Sequence, residues 1–189
     1  MAEHVCPVWA GYFLTSPARK LLQNPQKILM PYISSGMCVM DIGCGMGFFS
    51  LPMAGLAGDK GQVICVDLQE RMLAGLRRRA SRRGLLSRIK TRTCGQESLG
   101  IDDLSGQIDF ALAFAVVHEV KDAARFFAEV YAVSRQGGKV LFAEPKGHIT
   151  REHFEKSVSI AEARGLQREK PLHICLSHAI LLSKSEARI

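Results

Sequence analysis

What this chain lacks removes several classes of function before any motif is read. No apolar run approaches the roughly 20 residues that crossing a bilayer requires, so no membrane span is expected. The first residues are acidic and polar instead of a basic stretch leading into a hydrophobic one, and a cytoplasmic protein is expected. Among six cysteines there is no Cys-x-x-Cys pair, and Cys38, Cys44 and Cys65 fall in apolar, strand-like runs, which favours free thiols over a disulfide framework. His148, His153, His173 and His178 have no recognisable ligand spacing, so no metal site is expected. Low-complexity tracts and fixed-period repeats are missing as well.

What is present describes one globular domain. At 189 residues, 47% of them hydrophobic, the chain can bury a substantial core and is too short for two domains of ordinary size. The net charge of +7 would draw polyanions if it were gathered at one place. Much of it is gathered in "RRRASRR", Arg77 to Arg83. That run ends the helix-like stretch "QERMLAGLRRRASRRG", where cations complement the helix dipole, and no aromatic residue interleaves the arginines. A solvated helix end is therefore expected there, and nucleic acid is not the expected partner.

After Gly36 short apolar runs alternate with amphipathic ones: "MCVMDI", "GFFSLPMAGLAG", "QVICVDL", the arginine-ended helix, "RIKTRT", "IDFALAFAVV", "DAARFFAEVYAVSRQGG" and "KVLFAEP". Strands alternating with helices imply a doubly wound α/β fold with a mostly parallel sheet. Thr150 is placed to cap a helix running to about Gly165. The runs "LQREKPLHICL" and "HAILLSK" then follow so closely that an antiparallel hairpin is the simplest connection. Residues 1–35 read as a helical N-terminal extension broken by Pro17, Pro25 and Pro31, with Asn24 as an N-cap before a first-turn proline; residues 36–189 read as the Rossmann-like core. The extension's aromatics Trp9, Tyr12, Phe13 and Tyr32 suit packing, and equally a flap in which Trp9, Tyr12 and Phe13 cover an acceptor pocket.

The stretch "MDIGCGMGFFS" carries the chemistry. Gly43, Gly45 and Gly47 follow an apolar strand at the point where open α/β sheets bind ligands. Glycine-rich turns of this kind often cradle phosphates, but a dinucleotide fingerprint needs a glycine where Phe48 stands, and Asp41 at the strand end repels a diphosphate. The same charge attracts an ammonium, by about 1 kcal/mol in water and about 4 kcal/mol in a semi-buried site at about 4 Å. The second strand ends in "VICVDL", placing Asp67 where an acid accepts hydrogen bonds from both ribose hydroxyls, with Leu68 beside it as an apolar face for a base. A nucleoside with an amino-acid tail and no phosphate meets these demands, and S-adenosylmethionine (SAM) is such a molecule.

Taken together, "VMDIGCGMGFFS", "VICVDL", "IDFALAFAVVHEV" and "GGKVLFAEP" resemble the class I SAM-dependent methyltransferases, especially small type 11 members such as those of quinone biosynthesis. The resemblance covers roughly residues 37 to 145. It implies a seven-stranded sheet of order 3-2-1-4-5-7-6 with the seventh strand antiparallel. It also implies that Asp41, Gly43, Gly45 and Gly47 hold the methionine part of SAM, that Asp67 holds the ribose and that Leu68 packs on adenine. Ala113 and Phe114 would line the methionine end, and Gln96 or Glu97 would meet the adenine amino group.

Because a sulfonium already carries an activated methyl, such a site mainly aligns an acceptor, and a base matters only where the acceptor loses a proton. "FAVVHEV" replaces the Asn/Asp-Pro-Pro-aromatic motif of similar DNA and protein amide methyltransferases, and the Pro-Cys nucleophile of cytosine-C5 enzymes is missing. A small-molecule acceptor is therefore expected, for a monomer or homodimer. An RNA or protein methyltransferase working through the arginines, and a SAM-binding regulator without turnover, are the alternatives. His118, just past the fourth strand, is the candidate to act on the acceptor, unless it only bonds the backbone or a carboxylate such as Glu119.

Overall fold

The structure is a computed structural model that describes residues 22–185. Trp9, Tyr12 and Phe13 lie outside the described residues, so the lid reading of those aromatics has no structural account.

Seven strands form one sheet of order β3-β2-β1-β4-β5-β7-β6: β1 Cys38–Ile42, β2 Gln62–Asp67, β3 Ile89–Thr93, β4 Ile108–Phe114, β5 Ser134–Pro145, β6 Leu166–Pro171 and β7 Ser177–Lys184. The first five pair with one another in parallel, and β7 runs antiparallel to both β5 and β6. Strand order and antiparallel ending are those expected from the sequence.

The helices are α1 Pro25–Leu29, α2 Ser50–Ala57, α3 Glu70–Ser81, α4 Ala123–Val133 and α5 Arg151–Ala163. Their starts follow local chemistry. Asn24 accepts from the N–H groups of Gln26 and Lys27 ahead of Pro25, Asp122 accepts from Arg125 N–H, and Thr150 accepts from His153 N–H. The central strands are buried on both faces, as their unbroken apolar runs require. One face packs Leu51, Met53, Leu73, Leu76 and Phe110 with α2 and α3. The other packs Met40, Ile64, Phe127, Phe142 and Phe154 with α4 and α5. Each such side chain contributes roughly 1.5 to 3 kcal/mol of burial.

Two boundaries differ from the sequence reading. β4 stops at Phe114, because Ala115 turns into the left-handed region at φ 56° while its N–H donates to Ala143 O at 2.8 Å. The amphipathic run from Asp122 stays helical only to Val133, and the chain enters β5 at Ser134, whose hydroxyl bonds Val130 O at 2.7 Å. Pairing then skips from Ile108–Ser134 to Phe110–Lys139, a bulge through Gly137 and Gly138. The segment before residue 36 also contributes to the core: Leu29 and Ile33 are buried in it, and Tyr32 stacks on Phe110 with ring centroids 5.8 Å apart. For Tyr32, then, the packing reading holds.

Candidate active site

The carboxyl ends of β1, β2, β4 and β5 open on one edge of the sheet, and the chemistry-bearing residues gather there. The loop from Gly43 to Gly47 is tied to the neighbouring strand, since the N–H groups of Gly43 and Cys44 both donate to Val66 O, at 2.8 and 3.1 Å. A Cβ on Gly43 would sit 2.7 Å from Val116, and one on Gly47 would sit 2.3 Å from Leu76, so these two glycines let a loop and a helix close in. Gly45, at φ +52°, is different: a Cβ there would meet nothing within 4 Å. Its backbone faces open space, which is the arrangement a ligand lying along the loop demands.

Asp67 is joined to that loop. Its Oδ2 accepts from Gly45 N–H and its Oδ1 from Gln69 N–H, each at 2.8 Å. A carboxylate has about four lone-pair sites, so each oxygen keeps capacity for one hydroxyl of a diol. Burial pushes the Asp67 carboxyl above its ordinary value, against the lowering effect of the two backbone donors. Leu68 is half-buried beside it, an apolar surface next to an acceptor pair.

Asp41 takes a less direct position than the sequence suggested. Its carboxylate is buried and Oδ2 accepts from the Ser50 hydroxyl at 2.5 Å, clamping the end of β1 to the first residue of α2. The carboxyl group therefore lies beneath the loop. Ala113, for its part, is wholly buried in the core. Phe114, the last residue of β4, packs against Phe49, ring centroids 4.6 Å apart. The residues that reach the edge here are Ala115 and Val116, which the sequence reading missed because nothing in the apolar run announces the left-handed turn.

After β3, the side chains of Gln96 and Glu97 are exposed, and Gln96 Oε1 accepts from Lys121 Nζ at 2.8 Å. Lys121 follows β4, and β2 and β1 stand between β3 and β4 in the sheet, so this bond spans the ends of the two strands that carry Asp67 and the glycine loop. Cys94, at the start of the same loop, has its thiol pushed up to about 11 by burial and by the nearby Asp67 charge.

His118 sits in a 3-10 turn, Val117–Glu119, directly past β4. Its Nδ1 is 2.6 Å from Oε2 of Glu144, the buried acid near the end of β5, whose other oxygen accepts from the N–H groups of Val117 and His118 at 2.8 and 3.2 Å. Glu144, not Glu119, is the partner: Glu119 Oε1 stands 3.9 Å from Nε2, beyond hydrogen-bond reach. The Glu144 bond raises the His118 pKa above 6.5, against the opposing effect of burial. Sequence reasoning missed Glu144 although "FAEP" places an acid at the end of the strand beside β4.

The arginine run is not simply a solvated helix end. Arg77 bonds Thr91 Oγ1 at 3.0 Å and pairs with Glu70, while Arg79 bonds the Met46 carbonyl inside the glycine loop. Arg78, Arg82 and Arg83 remain exposed. A cavity of about 290 Å³ lies between Met46 and α3, lined also by Gly75, Arg78, Arg79 and Arg82. Cys38, Cys44, Cys65, Cys94 and Cys175 are free thiols, and among the described residues no group of three His, Cys, Asp or Glu side chains is placed to hold a metal ion. No described helix is long and apolar enough to cross a membrane.

A strand-order-reversing sheet, a glycine loop open at its middle and an acid one strand over that bonds this loop are the features of the Rossmann-like fold of class I SAM-dependent methyltransferases. The chain belongs to that class: the family model described as "Methyltransferase domain" matches residues 40–142, which run from β1 into β5. Among curated relatives, the ubiquinone/menaquinone biosynthesis C-methyltransferase UbiE of Marinomonas sp. is 27% identical over 127 residues, covering 66% of this chain and 50% of the relative. The chain spans about half the length of the UbiE proteins it matches. A SAM-dependent methyltransferase from Aquifex aeolicus superposes with a TM-score of 0.85 at 19% identity, over 95% of this chain and 100% of that one. The [4+2]-cyclase SpnF superposes at 0.73 with 15% identity, over 87% of this chain and 82% of that one. At these identities the structural likeness shows the fold alone.

Proposed function

We propose that the protein transfers a methyl group from SAM to a small-molecule acceptor. The observation that carries this reading is the bond between Asp67 and Gly45 N–H, which couples a two-oxygen acceptor to the open middle of the glycine loop. The chain's own residues fit the donor: Gly43, Gly45 and Gly47 offer a close backbone approach, and Asp67 holds a ribose diol. Leu68 supports a purine, Phe114 shapes the methionine end, and Gln96 or Glu97 stands at the adenine side. Asp41, buried beneath the loop, supplies the negative field that favours the donor's ammonium. When bound, SAM supplies an electrophilic methyl whose C–S electron pair returns to sulfur as the thioether of S-adenosylhomocysteine. Holding the acceptor in line is then the main task of the protein, and orientation supplies roughly 7 to 11 kcal/mol of such a barrier. His118, at the same edge, acts on the acceptor.

A small acceptor is favoured over a polyanion because Arg77 and Arg79 are spent on Thr91, Glu70 and Met46. The test is turnover: SAM incubated with the protein and pooled metabolites should release S-adenosylhomocysteine in step with a methylated product. Binding of SAM with no product from any pool would leave a SAM-binding regulator as the reading.

A further inference from the structure

Building on the donor site above, we propose that Glu144 is a positioning residue that fixes the His118 ring proton on Nδ1 and turns Nε2 toward the acceptor as the ring's basic site, and that the acceptor is therefore a group that loses a proton on methylation. A carboxylate only accepts, so a 2.6 Å contact with Nδ1 places the imidazole proton on Nδ1. In the neutral ring that leaves the Nε2 lone pair as the basic site. Glu144 is fixed in turn, because its other oxygen takes the N–H groups of Val117 and His118 and the residue is 2% exposed. The same carboxylate thus sets the backbone turn, the tautomer and the ring's aim, while the His118 side chain stays 19% exposed at the edge where the strands end.

The titratable groups around the ring are Glu144 from β5, Glu119 on its own turn and His148 past β5, whose ring centroid is 6.1 Å away. Asp67 acts through Glu119, whose carboxyl burial pushes up. In the reaction, Nε2 takes the proton from an acceptor O–H, or from an acidic C–H, while the electron pair so freed forms the new bond to the methyl carbon; the imidazolium then returns its proton to water. An acceptor that is only a lone pair has nothing for this base to remove. Phenols, hydroquinones and carbon acids fit; pyridine-like nitrogen does not.

Glu144→Gln tests this without emptying the space. Its amide oxygen still accepts from the two backbone N–H groups, but its NH2 now faces Nδ1 and forces the proton onto Nε2. Nitrogen NMR of His118 in the full chain, titrated with S-adenosylhomocysteine bound, should show the Nδ1–H tautomer in the wild type and the Nε2–H tautomer, with a lower titration midpoint, in the variant. With SAM, catechol and hydroquinone should be methylated and pyridine should not. The variant should lose roughly 10²-fold in kcat with little change in KM for SAM or in S-adenosylhomocysteine affinity. An Nε2–H tautomer in the wild type, or a variant with full turnover, overturns the positioning role, and the wild-type spectrum decides this even if the variant does not fold. Methylation of pyridine alone, or of none of the three, overturns the acceptor class. Failure of the wild type to bind S-adenosylhomocysteine overturns the donor reading itself, a separate result.

Discussion

At the scale of single residues, the three glycines of the loop have different jobs, and substitution separates them. Gly45→Ala adds a methyl to open space, so its stability cost is the left-handed backbone strain alone, about 1 kcal/mol, while it should weaken SAM binding where the ligand needs that space. Gly47→Ala carries the same backbone strain and also drives a methyl into Leu76, buried in the core, so it should cost roughly 1 to 3 kcal/mol more than Gly45→Ala in a denaturant titration. Equal stability loss in the two variants would contradict this division. Asp67 adds a pH dependence. Its carboxyl is raised by burial and must be ionised to accept from both ribose hydroxyls, so S-adenosylhomocysteine affinity should begin to fall at a pH above the ordinary carboxylate value of about 3.9 as acid is added. His118 runs the other way: its pKa is raised, so its ion pair with Glu144 stabilises the fold fully below about pH 6.5 and is lost as pH rises through the raised value. Thermal melts of the wild type against Glu144→Gln across that window should converge at alkaline pH. Of these residues, the glycines, Asp67 and His118 were legible in sequence, because each stands at a strand end that periodicity locates. Glu144 was not singled out, since its partner lies 26 residues away, in the turn after the neighbouring strand, and only the sheet brings them together.

At the scale of elements, the loops after β3 and β4 are linked by Lys121 and Gln96 across the ends of β2 and β1. The bond is exposed and worth little to the fold, within about 1 kcal/mol. Lys121→Ala should therefore leave the melting temperature nearly unchanged and speed release of S-adenosylhomocysteine in stopped-flow displacement; unchanged release would show that the strap does not gate the site. The strands themselves were legible because buried parallel strands are written as continuous Val, Ile and Ala runs. Their ends were less so. β4 read three residues too long, through Ala115, Val116 and Val117, because a left-handed alanine looks like any other apolar residue. β5 read too short, because its bulge at Gly137 and Gly138 resembles a helix terminus. The arginines of α3 show the same limit: the helix dipole explains where they stand, but the contacts of Arg77 and Arg79 come from β3 and the glycine loop.

For the whole molecule, a net charge of +7 would suggest polyanion binding, yet part of the densest basic run is consumed internally. Neutralising Arg78, Arg82 and Arg83 together should leave small-molecule turnover intact, and transfer RNA should bind weakly, with no steep salt slope for these changes to flatten. The outer strand β6 carries exposed Arg168, Glu169 and Lys170, which discourages edge-to-edge pairing of copies. The fold alone does not choose a reaction, as the likeness to a [4+2]-cyclase illustrates, so the account stands on the donor site. Isothermal calorimetry with SAM, S-adenosylhomocysteine and NAD, on the wild type and Asp67→Ala, tests that site most directly. The account predicts that SAM and S-adenosylhomocysteine bind, that NAD binds far more weakly, and that Asp67→Ala costs roughly 1.5 to 3 kcal/mol of affinity for both nucleosides. NAD binding as tightly as SAM, or an Asp67→Ala variant with unchanged SAM affinity, would contradict it.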